Sequence, residues 1–292
     1  MGRNVVLGDE NTLVGDMSYE RPGVDTPGDQ TCQYGASKLH FRGPKRPLDV
    51  PYVACIGGTE TFGRFVPDPF PAVLERRLGE VCVNLGCING GLDTVIQDPE
   101  LLRMAHKADI SILQLPGAHN LSNRLYRVHP RRNDRFLQAS ETLAGLYPEV
   151  DFTEFHFNKH LLNHLLAFGA DRFSLVKREL QQAWLARMRL LVSQMDGVIA
   201  LLWLRYDGQE EDVAESGMGA DPWLITSDMV EKLRNDVSTI VEVSVQPAGA
   251  SDELEDMIFG TMQEPAAEHM MGPATHQIVA DKVYRALRDL DE

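Results

Sequence analysis

From about residue 51 onward, short apolar runs alternate with stretches in which apolar residues recur every three or four positions. The runs at 52–56 (YVACI), 81–85 (VCVNL), 110–115 (ISILQL), 198–204 (VIALLWL) and 240–245 (IVEVSV) have the length of strands. Most are too uniformly apolar to keep a wet face, which is the mark of parallel strands covered on both sides. Helices are expected over about 69–78, 99–107 and 273–290. The βαβαβ order at 52–115 implies a parallel sheet. From residue 134 to 195 the pattern reads as helical, most clearly in Phe173, Val176, Leu180, Trp184, Met188 and Leu191, so a helical insertion is expected at about 121–195. Five strands with covering helices predict a flavodoxin-like, three-layer α/β/α sandwich with a five-stranded parallel sheet. Residues 1–50, rich in Gly, Pro, Asp and Arg, are expected to form an irregular arm packed on the domain made by 51–292.

Composition narrows the partners more than the fold. The chain has 292 residues and is 43% hydrophobic, enough for one sizeable core. Its net charge of −15 argues against nucleic acid or an anionic membrane surface as the main partner. No run approaches the ~20 apolar residues of a membrane-spanning helix, and the first ten residues, MGRNVVLGDE, lack a secretory apolar core, so a cytoplasmic location is expected. The four cysteines, Cys32, Cys55, Cys82 and Cys87, form no CxxC pair and suggest reduced thiols, with no disulfide, metal or cofactor expected. The oligomeric state is open, a homo-oligomer included.

The segment CIGGTETFGR at 55–64 places a Gly-rich turn after the first long strand. As a phosphate loop it fails chemically, because Arg64 and Phe65 stand where a lysine and a hydroxyl are needed, and Pro67, Pro69 and Pro71 delay the following helix to about residue 69. As a nucleophile turn it belongs to a larger set. Residues 52–79 resemble the opening block of the SGNH/GDSL hydrolases, with Thr59 at the nucleophile position. VNLGCINGG, residues 83–91, is similar to the second block, and ILQLPGAHN, residues 112–120, to the third, with Asn120 one residue further from Gly117 than the family spacing. GPATHQIVADKVYRAL resembles the last block, with Pro273 where the family has Asp three residues before the histidine. The whole chain, including YGASKLHFRGP and NRLYRVHPRRNDRF, is also similar to a bacterial family whose activity is not established.

The hydrolase resemblance implies an ester hydrolase or acyltransferase in which Thr59 attacks and His276 is the base. The second block would lend a backbone N–H of Asn89, Gly90 or Gly91 to the oxyanion, with Asn120 completing the hole. Independently, a helical projection puts His276 on the inward face with Val279, Ala280, Val283 and Leu287, which fits a base or a hydrogen-bonded core histidine. Without the family's Asp, a Thr59–His276 dyad is the expectation; Glu264 or Glu268 could stand in, and Thr61 or water could attack instead. The threonine methyl crowds a tetrahedral intermediate, so a non-catalytic small-molecule-binding protein is the alternative.

Two clusters remain. Arg124, Arg131 and Arg132 lie in a basic segment just after the third block, which suits either an anionic substrate or salt bridges to acidic helices. His156, His160 and His164 form a polar stripe at four-residue steps without the spacing of a catalytic zinc motif, and are read as a solvated or subunit-contacting face.

Overall fold

The structure, a computed structural model, describes residues 27–206 and 221–290. The part of the N-terminal arm before residue 27 lies outside them. In the described part, strands β1 (Thr31–Cys32) and β2 (Phe41–Arg42) form a small antiparallel pair. Tyr34, Leu39 and Phe41 sink into the main core. Arg42 is 6% exposed and donates to the carbonyls of Gly63, Val66 and Pro67, so the arm braces the loop after the Gly-rich turn.

The central sheet begins with β3 (Tyr52–Gly57), followed by α1 (Thr59–Phe62), α2 (Phe70–Leu78), β4 (Val81–Gly86), α3 (Leu92–Ile96), α4 (Pro99–Lys107) and β5 (Ile110–Gln114). Alternate residues of β3 face opposite ways. Tyr52, Ala54 and Ile56 join the core that holds Leu101 and Met104 of α4. Val53 and Cys55 join the core that holds Phe70, Val73 and Leu74 of α2. Expected bounds hold closely for α4, where Asp98 caps two backbone N–H groups and Pro99 opens the helix. At α2 the N-cap is Pro69, with Pro71 in the first turn and no side-chain cap.

The insertion is not all helical. Residues that read as the start of a helix form the hairpin β6 (Tyr126–His129) and β7 (Arg132–Ala139), and only then come α5 (Glu141–Leu146), α6 (Asn158–Ala167) and α7 (Ala170–Val192). The register shifts twice between Arg127 and His129, and β7 buries Asn133 and Phe136, three residues apart. That spacing imitates a helix in sequence although the backbone is extended. On α7, Phe173, Val176, Leu180, Trp184, Met188 and Leu191 are all buried, as their periodicity predicts.

The chain returns to the sheet through β8 (Val198–Tyr206), α8 (Ser227–Glu231) and β9 (Thr239–Val245), and closes with α9 (Glu264–Ala267) and α10 (Pro273–Arg288). The five long strands are all parallel, in the order β4-β3-β5-β8-β9. This is the flavodoxin-like α/β/α arrangement, with its switch point between β3 and β5, where one crossover leads left and the next leads right. Among the described residues no helix is long and apolar enough to cross a membrane.

Candidate functional site

The Gly-rich turn sits at that switch point. Gly57 ends β3, where a Cβ would collide with the Thr61 hydroxyl and the Gln114 carboxamide. The chain makes one helical turn, α1, and leaves it through Gly63 in the left-handed region (φ 68°), packed on Pro69. A helix thus does follow the glycines directly, but for a single turn. Gln114, at the end of β5, holds this turn: its Oε1 accepts from the N–H of Gly58 (3.0 Å), the N–H of Thr61 (3.2 Å) and the Thr61 hydroxyl (2.6 Å). Its Nε2 donates to Glu60 at 2.7 Å. Thr61 is therefore fully buried and structural, and Thr59 is the hydroxyl that lines the adjoining cavity.

That cavity has a volume of about 570 Å³. Thr59, Asn89, Gly90 and Asn120 all line it, although they follow three different strands. Asn89 adopts a left-handed φ of 56°, which asparagine tolerates better than most residues, and donates its N–H to Thr59 Oγ1 at 3.0 Å. The neighbouring amides are committed within the protein: Gly90 donates to the Cys87 carbonyl (2.9 Å) and Gly91 to Asn133 Oδ1 (2.9 Å). Asn120 accepts from Asn158 Nδ2 at 2.9 Å through Oδ1, which leaves its NH₂ as the group with donors to spare.

The lining also includes residues outside the hydrolase-like blocks, among them His160 of the histidine stripe. Asp134 of β7, Phe157, Lys159 and His160 at the start of α6, Tyr206 at the end of β8, and Asp221 line the same cavity. Lys159 pairs with Asp221 at 2.8 Å and lies over the Trp223 ring. Asp134 Oδ1 is buried without a partner, and burial raises its pKa against the pull of Arg132 and Arg135. His119 is 3% exposed, packs against Trp223 and has an unpartnered Nδ1; burial, helped by Lys159 and opposed by Asp221, lowers its pKa to about 3, so the ring is neutral. The Tyr206 hydroxyl has no partner either, and its pKa is raised by burial and by the charges of Glu60 and Asp221. His119 and Asn120 are adjacent in the third block, so His119 was the one of these within reach of a motif argument. The others come from the insertion and from a strand end far along the chain.

His276 does not line this cavity. It is 1% exposed, stacks on Phe70, and its Nδ1 accepts the Phe70 N–H at 3.0 Å. Burial, with Arg42 adding to it, lowers its pKa to about 3. A neutral imidazole that accepts at Nδ1 carries its proton on Nε2, so neither nitrogen is left to take a proton from Thr59. The expectation of a Thr59–His276 dyad therefore gives way to a core histidine that satisfies a buried amide. Glu264 and Glu268 are likewise absent from the cavity lining.

The arginines also lie elsewhere. Arg124 lines a separate groove with Arg127 and Arg187, and binds Glu179 through both its backbone N–H and its guanidinium. Arg187 pairs with the buried Asp93 at 2.5 Å. Arg131 and Arg132 sit at the hairpin tip, their N–H groups donating to His129 Nδ1, and do not line the cavity. His160 and His164 pack against Phe155. Among the described residues, no group of three or more His, Cys, Asp or Glu side chains is arranged to hold a metal ion.

None of the curated proteins matches the chain. Among solved structures, one assigned to the G-D-S-L family of lipolytic proteins, from Desulfitobacterium hafniense DCB-2, is similar at 12% identity and a TM-score of 0.41, over 81% of this chain and 99% of that one. The model of the family described as "Domain of unknown function (DUF6473)" matches residues 17–291, and the chain belongs to that family.

Proposed function

We propose that the chain hydrolyses small polar esters bound in this cavity, or transfers their acyl group, with Thr59 as nucleophile. The observation that carries the reading is the convergence of Thr59, Asn89–Gly90 and Asn120 on one cavity at the switch point of a parallel sheet. Thr59 Oγ1 attacks the carbonyl carbon, and its proton passes to a base of the cavity wall. Asp134 suits that task, since it lines the cavity and burial raises its pKa above the ordinary carboxylate value. The Asn120 NH₂ donates to the developing oxyanion. The alkoxide departs with the proton from Asp134; water, deprotonated by the same carboxylate, then attacks the acyl carbon, and Asp134 returns that proton to Thr59 Oγ1 as the acid leaves.

A second reading has its own support. The Gly90 amide is spent on Cys87 and His276 on Phe70, so two groups that the resemblance assigns to catalysis are occupied. A pocket that binds without reacting fits those facts. Mass spectrometry during incubation with a panel of acetyl, longer acyl and sugar esters separates the two. Hydrolysis requires an acyl adduct on Thr59, loss of activity in Thr59→Ala, and retained or raised turnover in Thr59→Ser, which removes only the crowding methyl. Absence of adduct and turnover in both the wild type and Thr59→Ser favours the binding protein.

A further inference from the structure

Asn158 opens α6 in the insertion, far along the chain from the third hydrolase-like block, yet it touches that block's asparagine. It is fully buried, and its Nδ2 donates both protons, to the Asn133 carbonyl at 2.6 Å and to Asn120 Oδ1 at 2.9 Å. The Asn133 carbonyl belongs to β7 and can only accept. It therefore fixes the orientation of the Asn158 carboxamide. Turned over, Asn158 would set its Oδ1 against that carbonyl with no proton between the two oxygens. The Asn158 Oδ1 has no partner of its own, so nothing pulls the group the other way.

The same constraint passes on to Asn120. Because Asn158 offers it a donor, Asn120 meets it with Oδ1, and its NH₂ takes the other side. That NH₂ makes no hydrogen bond among the described residues and is not sealed from solvent, and Asn120 lines the cavity. A carboxamide turned over would instead present an acceptor, which repels a developing oxyanion.

We propose that Asn158 is a positioning residue: it decides which end of the Asn120 carboxamide the cavity receives, and the end received is the donor. The importance of that donor for turnover rests on the proposed function, whereas the orientation does not. The insertion thereby presets a group of the sheet edge before any ligand arrives.

Asn158→Asp keeps the shape and reverses the instruction. Whether the carboxyl is ionised or keeps a proton for the Asn133 carbonyl, the oxygen facing Asn120 accepts, so Asn120 turns its NH₂ toward it. NMR of isotope-labelled protein reads the side-chain amide exchange. In the wild type the Asn158 NH₂ is expected to be protected and the Asn120 NH₂ to exchange at least about tenfold faster. In Asn158→Asp the Asn120 NH₂ becomes protected; in Asn158→Ala, which removes the donor and supplies no acceptor, it stays unprotected. With p-nitrophenyl acetate, kcat should fall roughly 10²–10³-fold in Asn158→Asp at a KM changed by less than about threefold. Adding Asn120→Ala should lower it no further, since both changes act through one group. An Asn120 NH₂ that is protected in the wild type or unprotected in folded Asn158→Asp overturns the inference, as do unchanged kcat or additive losses in an active protein. The wild-type spectrum decides even if neither variant folds. The expected exchange pattern without turnover of any ester sinks only the hydrolase reading; turnover with the opposite pattern sinks only this one.

Discussion

At the scale of single residues, the two buried histidines give the clearest expectations. His276→Gln should leave activity per folded molecule close to wild type, since the ring does not line the cavity. His276→Ala should cost about 2–4 kcal/mol, because the Phe70 N–H loses its acceptor in a sealed site and a void opens beside the Phe70 ring. Urea denaturation with an esterase assay on the folded fraction separates these outcomes. Both His276 and His119 have pKa values lowered to about 3, against an ordinary value of 6.5. The unfolded chain therefore binds protons that the folded chain refuses. Their contribution to stability is fully present above about pH 6.5 and falls as pH drops toward 3, by about 1.4 kcal/mol per pH unit for each histidine. The His276→Gln variant should show a shallower acid slope. Sequence showed that His276 faces inward, but its decisive partner is an amide 206 positions away, which no helical projection reveals. Thr59, Asn89 and Asn120 were easier to place, because each follows an apolar strand directly and strand ends of a parallel sheet meet at one edge.

At the scale of elements, the hairpin of β6 and β7 ties the insertion to the sheet edge and contributes Asp134 to the cavity. Asn133, fully buried on β7, accepts from the N–H of Gly91 and from the N–H and hydroxyl of Thr94 through one oxygen, while its own N–H donates to the Asn89 carbonyl. Asn133→Ala strands three buried donors and should cost about 2–4 kcal/mol. It should also raise amide exchange across 126–139 and around Asn89, while β3 and β5 stay protected; hydrogen-exchange mass spectrometry reads this directly. The hairpin was hidden in the sequence because its strands are polar, register shifts break the alternation, and its one buried asparagine carries no hydrophobic signal. The parallel strands were legible for the opposite reason, being covered on both faces by helices whose own periodicity is regular.

At the scale of the whole molecule, the arm and the sheet are joined by a buried cation. Burial lowers the pKa of Arg42, and its guanidinium serves three carbonyls of the segment between α1 and α2. Arg42→Met should reduce stability by about 2–4 kcal/mol, as three carbonyls in a largely sealed region lose their donor, and this is measurable as a lower denaturation midpoint at unchanged m-value. The fold class was readable from the succession of runs and periodic stretches alone, whereas such long-range ties were not, since the sequence around Arg42 is that of an exposed turn.

The cavity has two makers. Its floor, with Thr59, Gln114 and Asn89, comes from the sheet edge, while Asp134, Phe157, Lys159 and His160 come from the insertion, and the two are stitched together through Asn133 and Asn158. The Gly-rich turn and the wall that adjoins it are thus separate stretches of chain. Changes at 157 and 160 can reshape the cavity without disturbing the Gly-rich turn, provided the two asparagine stitches are kept.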